Sequence, residues 1–191
     1  MNIINSLAVF CGSSTGNNQK FTEEAVNLGK ELYKRNIRLI YGGGNLGLMG
    51  KTADTLSSLG GYVIGILPES LNLPKVCNKQ VESERIIVKD MHERKAQMYR
   101  RADAFIALPG GIGTYEELME VYTWLQLGYH RKPVGILNID GFYDGLLQQL
   151  RHSMEEGFLK KDILGTLVVA TDCIPLLDGL SKANLDFSAK L

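Results

Sequence analysis

Short apolar runs alternate with longer amphipathic segments along almost the whole 191-residue chain. The runs at 7–11, 37–41, 62–67, 85–88, 104–108 and 134–138 have strand length and little polar alternation. The segments at 18–35, 48–59, 91–101, 114–127 and 143–156 have helical period. In the first of these, Phe21, Ala25, Leu28, Leu32 and Tyr33 share one face. A short last strand at 167–170 and a terminal helix at 174–180 complete the pattern. Pro68 ends the third strand. Residues 69–83, which hold Asn72, Pro74 and Asn78, read as a loop that moves. Strands apolar on both sides and separated by helices pair in parallel. The expected fold is therefore α/β, a Rossmann-like doubly wound parallel sheet of six to seven strands with helices on both faces. The length fits one domain over 1–191.

Such sheets bind ligands beyond the carboxyl ends of their strands. Four loops of binding character leave those ends: 12–16, 42–47, 90–95 and 109–114. The last is the most telling. Pro109-Gly110-Gly111-Ile112-Gly113-Thr114-Tyr115-Glu116-Glu117 follows an apolar run and opens a helix. Free backbone N–H groups and the positive end of a helix dipole meet there, which suits a phosphate. Thr114 as N-cap with Glu117 reaching back makes a capping box, so Glu117 has a structural explanation. Gly110, Gly111 and Gly113 do not, because a cap needs no three glycines. Glu116, Glu117 and Glu120 crowd one helical end and call for a cation, with Arg94 available. At the neighbouring helix start, Asp90 as N-cap and Glu93 at N3 also resemble a capping box. Arg94 there can grip a phosphate through two parallel N–H bonds; His92 alone signals little.

Gly42-Gly43-Gly44-Asn45-Leu46-Gly47 satisfies GxGxxG between a strand and a helix. A NAD-type dinucleotide site is therefore an alternative. Against it, this is the second βα unit, and the acidic residue wanted about 20 positions on would be Glu69, just past Pro68. The bland reading is a tight turn needing positive φ and close helix packing. The functional one is a backbone surface at Gly43 and Gly44 that a phosphate or ribose can approach. Tyr122, Trp124 and Tyr129 make one helix unusually aromatic, which suits a helix–helix contact in a homodimer.

Lys+Arg and Asp+Glu both number 21, for zero formal net charge. That balance gives no support for binding nucleic acid broadly. Cys11, Cys77 and Cys173 are widely spaced, with no metal-binding pattern. They fit a reducing cytosol and no metal site. No apolar run approaches the roughly 20 residues of a membrane span, and residues 1–6 lack the features of a signal peptide. The expectation is a cytoplasmic protein.

The combination PGGxGTxxE, met at Pro109, Gly110, Gly111, Gly113, Thr114 and Glu117, resembles the LOG family. These are the cytokinin riboside 5′-monophosphate phosphoribohydrolases, also labelled lysine decarboxylase-like. The helix start Met91-His92-Glu93-Arg94-Lys95 and the segments Gly42-Gly43-Gly44 to Gly50 and Cys11-Gly12-Ser13-Ser14 are similar to it too. The resemblance runs from about residue 6 to 180. It implies hydrolysis of the N-glycosidic bond of a nucleoside 5′-monophosphate, AMP or N6-prenylated AMP, to free base and ribose 5-phosphate. It assigns catalysis to Arg94 and Glu117, and substrate binding to Ser13, Gly43, Gly44, Met91, Lys95, Gly110, Gly111, Gly113 and Thr114. It implies no cofactor and a homodimer. The other readings are a nucleotide-binding module without catalysis, and, from the older label alone, pyridoxal-phosphate chemistry on Lys51 or Lys95.

Overall fold

Seven strands form one sheet in the computed structural model, which describes residues 1–74, 76 and 80–187. They are β1 (Ser6–Phe10), β2 (Arg38–Tyr41), β3 (Val63–Pro68), β4 (Glu84–Val88), β5 (Ala104–Ala107), β6 (Val134–Leu137) and β7 (Leu167–Ala170). The order is β4-β3-β2-β1-β5-β6-β7, and every neighbouring pair is parallel. The chain runs outward from the central β1 to β4, then crosses back to place β5 on the other side of β1. The gap between β1 and β5 is thus the topological switch point, where doubly wound sheets take their ligands.

The helices are α1 (Gln19–Lys34), α2 (Gly47–Ser58), α3 (Met91–Arg101), α4 (Ile112–Leu127), α5 (Asp144–Glu155), α6 (Lys161–Leu164) and α7 (Cys173–Lys182). They cover both faces. The period-2 alternation of a strand divides the core into two layers. Leu7 and Val9 of β1 pack in one layer with Ala25, Leu28 and Leu32 of α1, Leu56 of α2 and Leu176 of α7. Ala8 and Phe10 pack in the other with Met98 and Tyr99 of α3 and Leu118 and Val121 of α4. Burial on both faces is why the inner strands read as unbroken apolar runs.

The structure corrects several local expectations. Pro68 does not stop β3; it is its last residue and pairs with Val88, a position where a missing N–H costs little. Two 3-10 turns, Glu69–Leu71 and Ile139–Gly141, and the single-turn α6 were not visible as periodic patterns. The loop 69–83 is pinned at its end, where Glu82 is buried and accepts hydrogen bonds from Tyr41 Oη at 2.7 Å and Arg85 at 2.8 Å. Cys77 and Asn78 lie outside the described residues. Cys11 and Cys173 are both free and buried. Among the described residues, no helix is long and apolar enough to cross a membrane.

Candidate functional site

The two loops at the switch point are tied to each other. Leu108 donates its backbone N–H to Phe10 at 2.9 Å, and Gly12 donates to Pro109 at 3.0 Å. Where they diverge, a cavity of about 340 Å³ opens. It is lined by Cys11, Gly12 and Ser13 after β1, by Met49 of α2, by Met91 and Arg94 of α3, and by the start of α4 from Gly111 to Glu117. That volume lies within the ~300–1,000 Å³ usual for small-molecule sites.

Two helices begin at this end with glycine-rich approaches, and they differ in one decisive respect. At α2 the first amides are already used: Leu48 donates to the Gly12 carbonyl at 3.1 Å, and Met49 is 3.4 Å from the same oxygen. Gly47 enters with φ +61°, and a Cβ there would collide with the Ser13–Ser14 backbone. The glycine at this position therefore serves loop-to-helix packing, and the Leu48 and Met49 amides are turned to the Gly12 carbonyl rather than to a ligand. At α4 the N-cap is Gly111, which has no capping side chain. Among the described residues, no acceptor of the chain engages the amides of Ile112, Gly113 or Thr114. The open helix N-terminus, which favours an anion, is the one facing the cavity.

This start overturns the capping box expected at Thr114. The helix begins two residues earlier, at Ile112, so Thr114 is inside its first turn and buried. Glu117 does not reach back to a cap. It turns to α3, where Arg94 Nη1 donates to Glu117 Oε1 at 2.8 Å. Both side chains are nearly buried, about a tenth exposed. Arg94 Nε donates to the Ile66 carbonyl at 3.3 Å, and its guanidinium packs against Gly42, where a Cβ would meet Nη2 first. Burial raises the pKa of Glu117 above the ordinary carboxylate value, while the Arg94 charge and hydrogen bond act to lower it. The expected cap at α3 does form: Asp90 accepts from the Glu93 N–H at 2.9 Å. Glu93 reaches back to the Lys89 amide rather than to that of Asp90.

Ser13, Met91, Arg94, Gly111, Gly113, Thr114 and Glu117 meet at this one cavity. Gly110 lines an adjoining cavity instead, with Gly12–Gly16, Phe21 and Phe142. Gly43 and Gly44 stand behind the site: a Cβ at Gly43 would meet Leu67, and one at Gly44 would meet Met49 and Val76. Lys95 does not line the cavity; its Nζ pairs with Glu116 and, at 2.9 Å, with Glu120 of α4. Sequence reading missed Cys11, Met49, Ile112 and Glu116 on the cavity wall. It also missed Gly42 as the seat of the guanidinium. The GGG run was the signal for Gly42, read there as a tight turn or a surface for ligand rather than as a seat for a side chain.

Fold and site together define a Rossmann-like α/β protein with an anion-receptive helix start beside a buried Arg–Glu pair. A family model described as possible lysine decarboxylase matches residues 49–180. The chain is 49% identical over 174 residues to a probable cytokinin riboside 5′-monophosphate phosphoribohydrolase of Oryza sativa subsp. japonica, covering 91% of this chain and 82% of the relative. It is 48% identical over 188 residues to a cytokinin riboside 5′-monophosphate phosphoribohydrolase of Arabidopsis thaliana, covering 97% and 88%. The molybdenum cofactor carrier protein of Chlamydomonas reinhardtii, 18% identical, superposes with a TM-score of 0.69 over 93% of this chain and 96% of that one, a likeness of fold alone. The chain belongs to the LOG family of phosphoribohydrolases.

Proposed function

We propose that this chain hydrolyses the N-glycosidic bond of a nucleoside 5′-monophosphate, AMP or N6-prenylated AMP, to free base and ribose 5-phosphate. The observation that carries the proposal is the placement of three free helix amides and an Arg-paired carboxylate on one cavity wall. The 5′-phosphate sits on the Ile112–Thr114 amides, with Gly111 and Gly113 keeping side chains out of its way. That anchor fixes the ribose, so that C1′ is presented to Glu117.

The bond breaks heterolytically. The C1′–N pair leaves with the base, which takes a proton from solvent, and C1′ becomes oxocarbenium-like. The ionised Glu117 carboxylate stabilises that cation, and a water then adds to C1′ and loses its proton. Arg94 is the counter-charge that holds Glu117 ionised and aimed. It is no proton donor, because its pKa exceeds about 12. Glu117→Gln keeps the shape and the acceptor for Arg94 but removes the charge. At ~4 Å and an effective dielectric near 20 that charge contributes about 4 kcal/mol, or roughly 10³-fold in rate. If the variant released base from AMP at the wild-type rate, this role would be lost to Glu117.

A non-catalytic nucleotide-binding module would keep the amides but need no Glu117; base release separates the two. Neither lysine considered for pyridoxal phosphate is placed for it. Lys95 Nζ is held between two carboxylates, and Lys51 is exposed on α2. The protein further acts as one unit and, by this reading, as a cytosolic homodimer. Supporting the dimer is the end of α4, where Tyr129 is exposed with Trp124 packed edge-on against it. Sedimentation of wild type and Tyr129→Asp tests that contact.

A further inference from the structure

The LOG resemblance places Lys95 among the residues that bind nucleotide, but its atoms are committed elsewhere. The side chain is about a tenth exposed, and its Nζ bridges Glu116 and Glu120, one turn apart on α4. Glu120 is fixed a second time by Tyr99 Oη, which donates to it at 2.6 Å. One residue earlier on α3, Arg94 holds Glu117. Two cations of α3 therefore grip three carboxylates of α4, and they divide them: Arg94 takes Glu117, Lys95 takes Glu116 and Glu120 on either side of it.

We propose that Lys95 is a positioning residue that acts on the reaction through Glu116 and Glu120, fixing the first turns of α4 so that Arg94 is left to Glu117 alone. The proposal rests on the reading of Glu117 as the reacting carboxylate. Without Lys95, two flanking carboxylates compete for the same guanidinium, and Glu116, which lines the cavity, presents an uncompensated charge to the substrate phosphate. The groups facing Glu117 are Arg94, Lys95 and Tyr99 from α3, Glu116 from its own helix, and Cys11 from the end of β1. Among them Glu116 raises the proton affinity of Glu117, and Lys95 lowers it. Burial acts to lower the pKa of Lys95 itself, but the bonds to Glu116 and Glu120 outweigh it and raise the pKa.

The test is a carboxyl ¹³C NMR titration of Glu117, with its signal assigned by loss in Glu117→Gln. It is run beside the pH profile for base release. In Lys95→Met the Glu117 midpoint rises by about one pH unit, and the acid limb of kcat/KM moves up with it. Lys95→Arg restores both, and adding Glu116→Gln to Lys95→Met brings the midpoint back down. Glu116→Gln alone, which leaves Lys95 paired with Glu120, lowers the midpoint and serves if Lys95→Met does not fold. An unchanged Glu117 midpoint across these variants overturns the proposal. So does a rise in KM for AMP in Lys95→Met that Glu116→Gln leaves uncorrected, which makes Lys95 a direct substrate contact. The titration needs no turnover, so an inactive wild type would sink the proposed hydrolysis while still deciding the role of Lys95.

Discussion

Replacing Gly42 by alanine would place a Cβ 3.1 Å from the Arg94 guanidinium carbon and 3.4 Å from its Nε, with Nη2 closer still. Gly42 needs no positive φ, so the backbone tolerates alanine and the effect is purely one of space. Such contacts settle near 3.5–4.0 Å, and Nη2 starts far inside that limit, so the guanidinium must turn or retreat by more than about 1 Å. It has little slack, being held at 2.8 Å to Glu117 and 3.3 Å to the Ile66 carbonyl. The intruding atom meets the far end of a side chain rather than backbone, so the overpacking cost stays at about 1–3 kcal/mol. That is a fall of roughly 3–10 °C in Tm for a chain this size. Catalysis suffers more, because a displacement near 1 Å costs about 10²-fold. Thermal unfolding and steady-state base release from AMP measure the two separately. A Gly42→Ala enzyme with wild-type kcat/KM would refute the claim that Arg94 must stay seated against Gly42.

The glycines before α4 give a matched pair. A Cβ at Gly110 would lie 2.8 Å from Gly12 N and 2.8 Å from Thr114 Cβ, whereas one at Gly111 meets nothing. Gly110→Ala should therefore lower Tm by several degrees, while Gly111→Ala should keep Tm and weaken nucleotide binding; equal Tm values for both would contradict the geometry. Burial pulls the pKa of His130 down to about 4, from about 6.5 in an unfolded chain. Between those values the unfolded chain binds more protons, so this contribution is present above pH 6.5 and is lost as pH falls toward 4. At pH 5 the loss is about 2 kcal/mol. Urea unfolding of wild type and His130→Gln at pH 7 and 5 measures it, and identical pH dependence in the two would be the contrary result.

The inner strands and their parallel pairing were legible because they are buried on both faces and so lack the polar alternation that blurs other sheets. The short edge strand Leu167–Ala170, which pairs with β6, is only part-buried and was legible from its apolar, β-branched composition instead. The joining of Arg94 to the acidic start of α4 was foreshadowed by three glutamates needing a cation. Which glutamate it takes was not, because that depends on how α3 and α4 lie across the sheet. Thr114 and Glu117 fit a capping box by spacing alone, yet Arg94 outcompetes a backbone amide for a buried carboxylate. The contrast between α2 and α4 was beyond local reading. Gly42–Gly47 also read as a surface that a phosphate could approach, and the carbonyl of Gly12, 35 or more residues away in sequence, takes up the Leu48 and Met49 amides at the start of α2. Glu82 likewise sits in an aperiodic loop, and its burial answers to Tyr41 and Arg85.

The central claim is that this cavity breaks the bond between base and ribose and leaves the phosphate ester whole. Purified protein incubated with AMP, and in parallel with N6-isopentenyladenosine monophosphate, and followed by chromatography and ³¹P NMR, tests it directly. The account predicts free base and ribose 5-phosphate in equal amounts from at least one of the two. Nucleoside plus inorganic phosphate, or no turnover of either nucleotide by the folded protein, would contradict it.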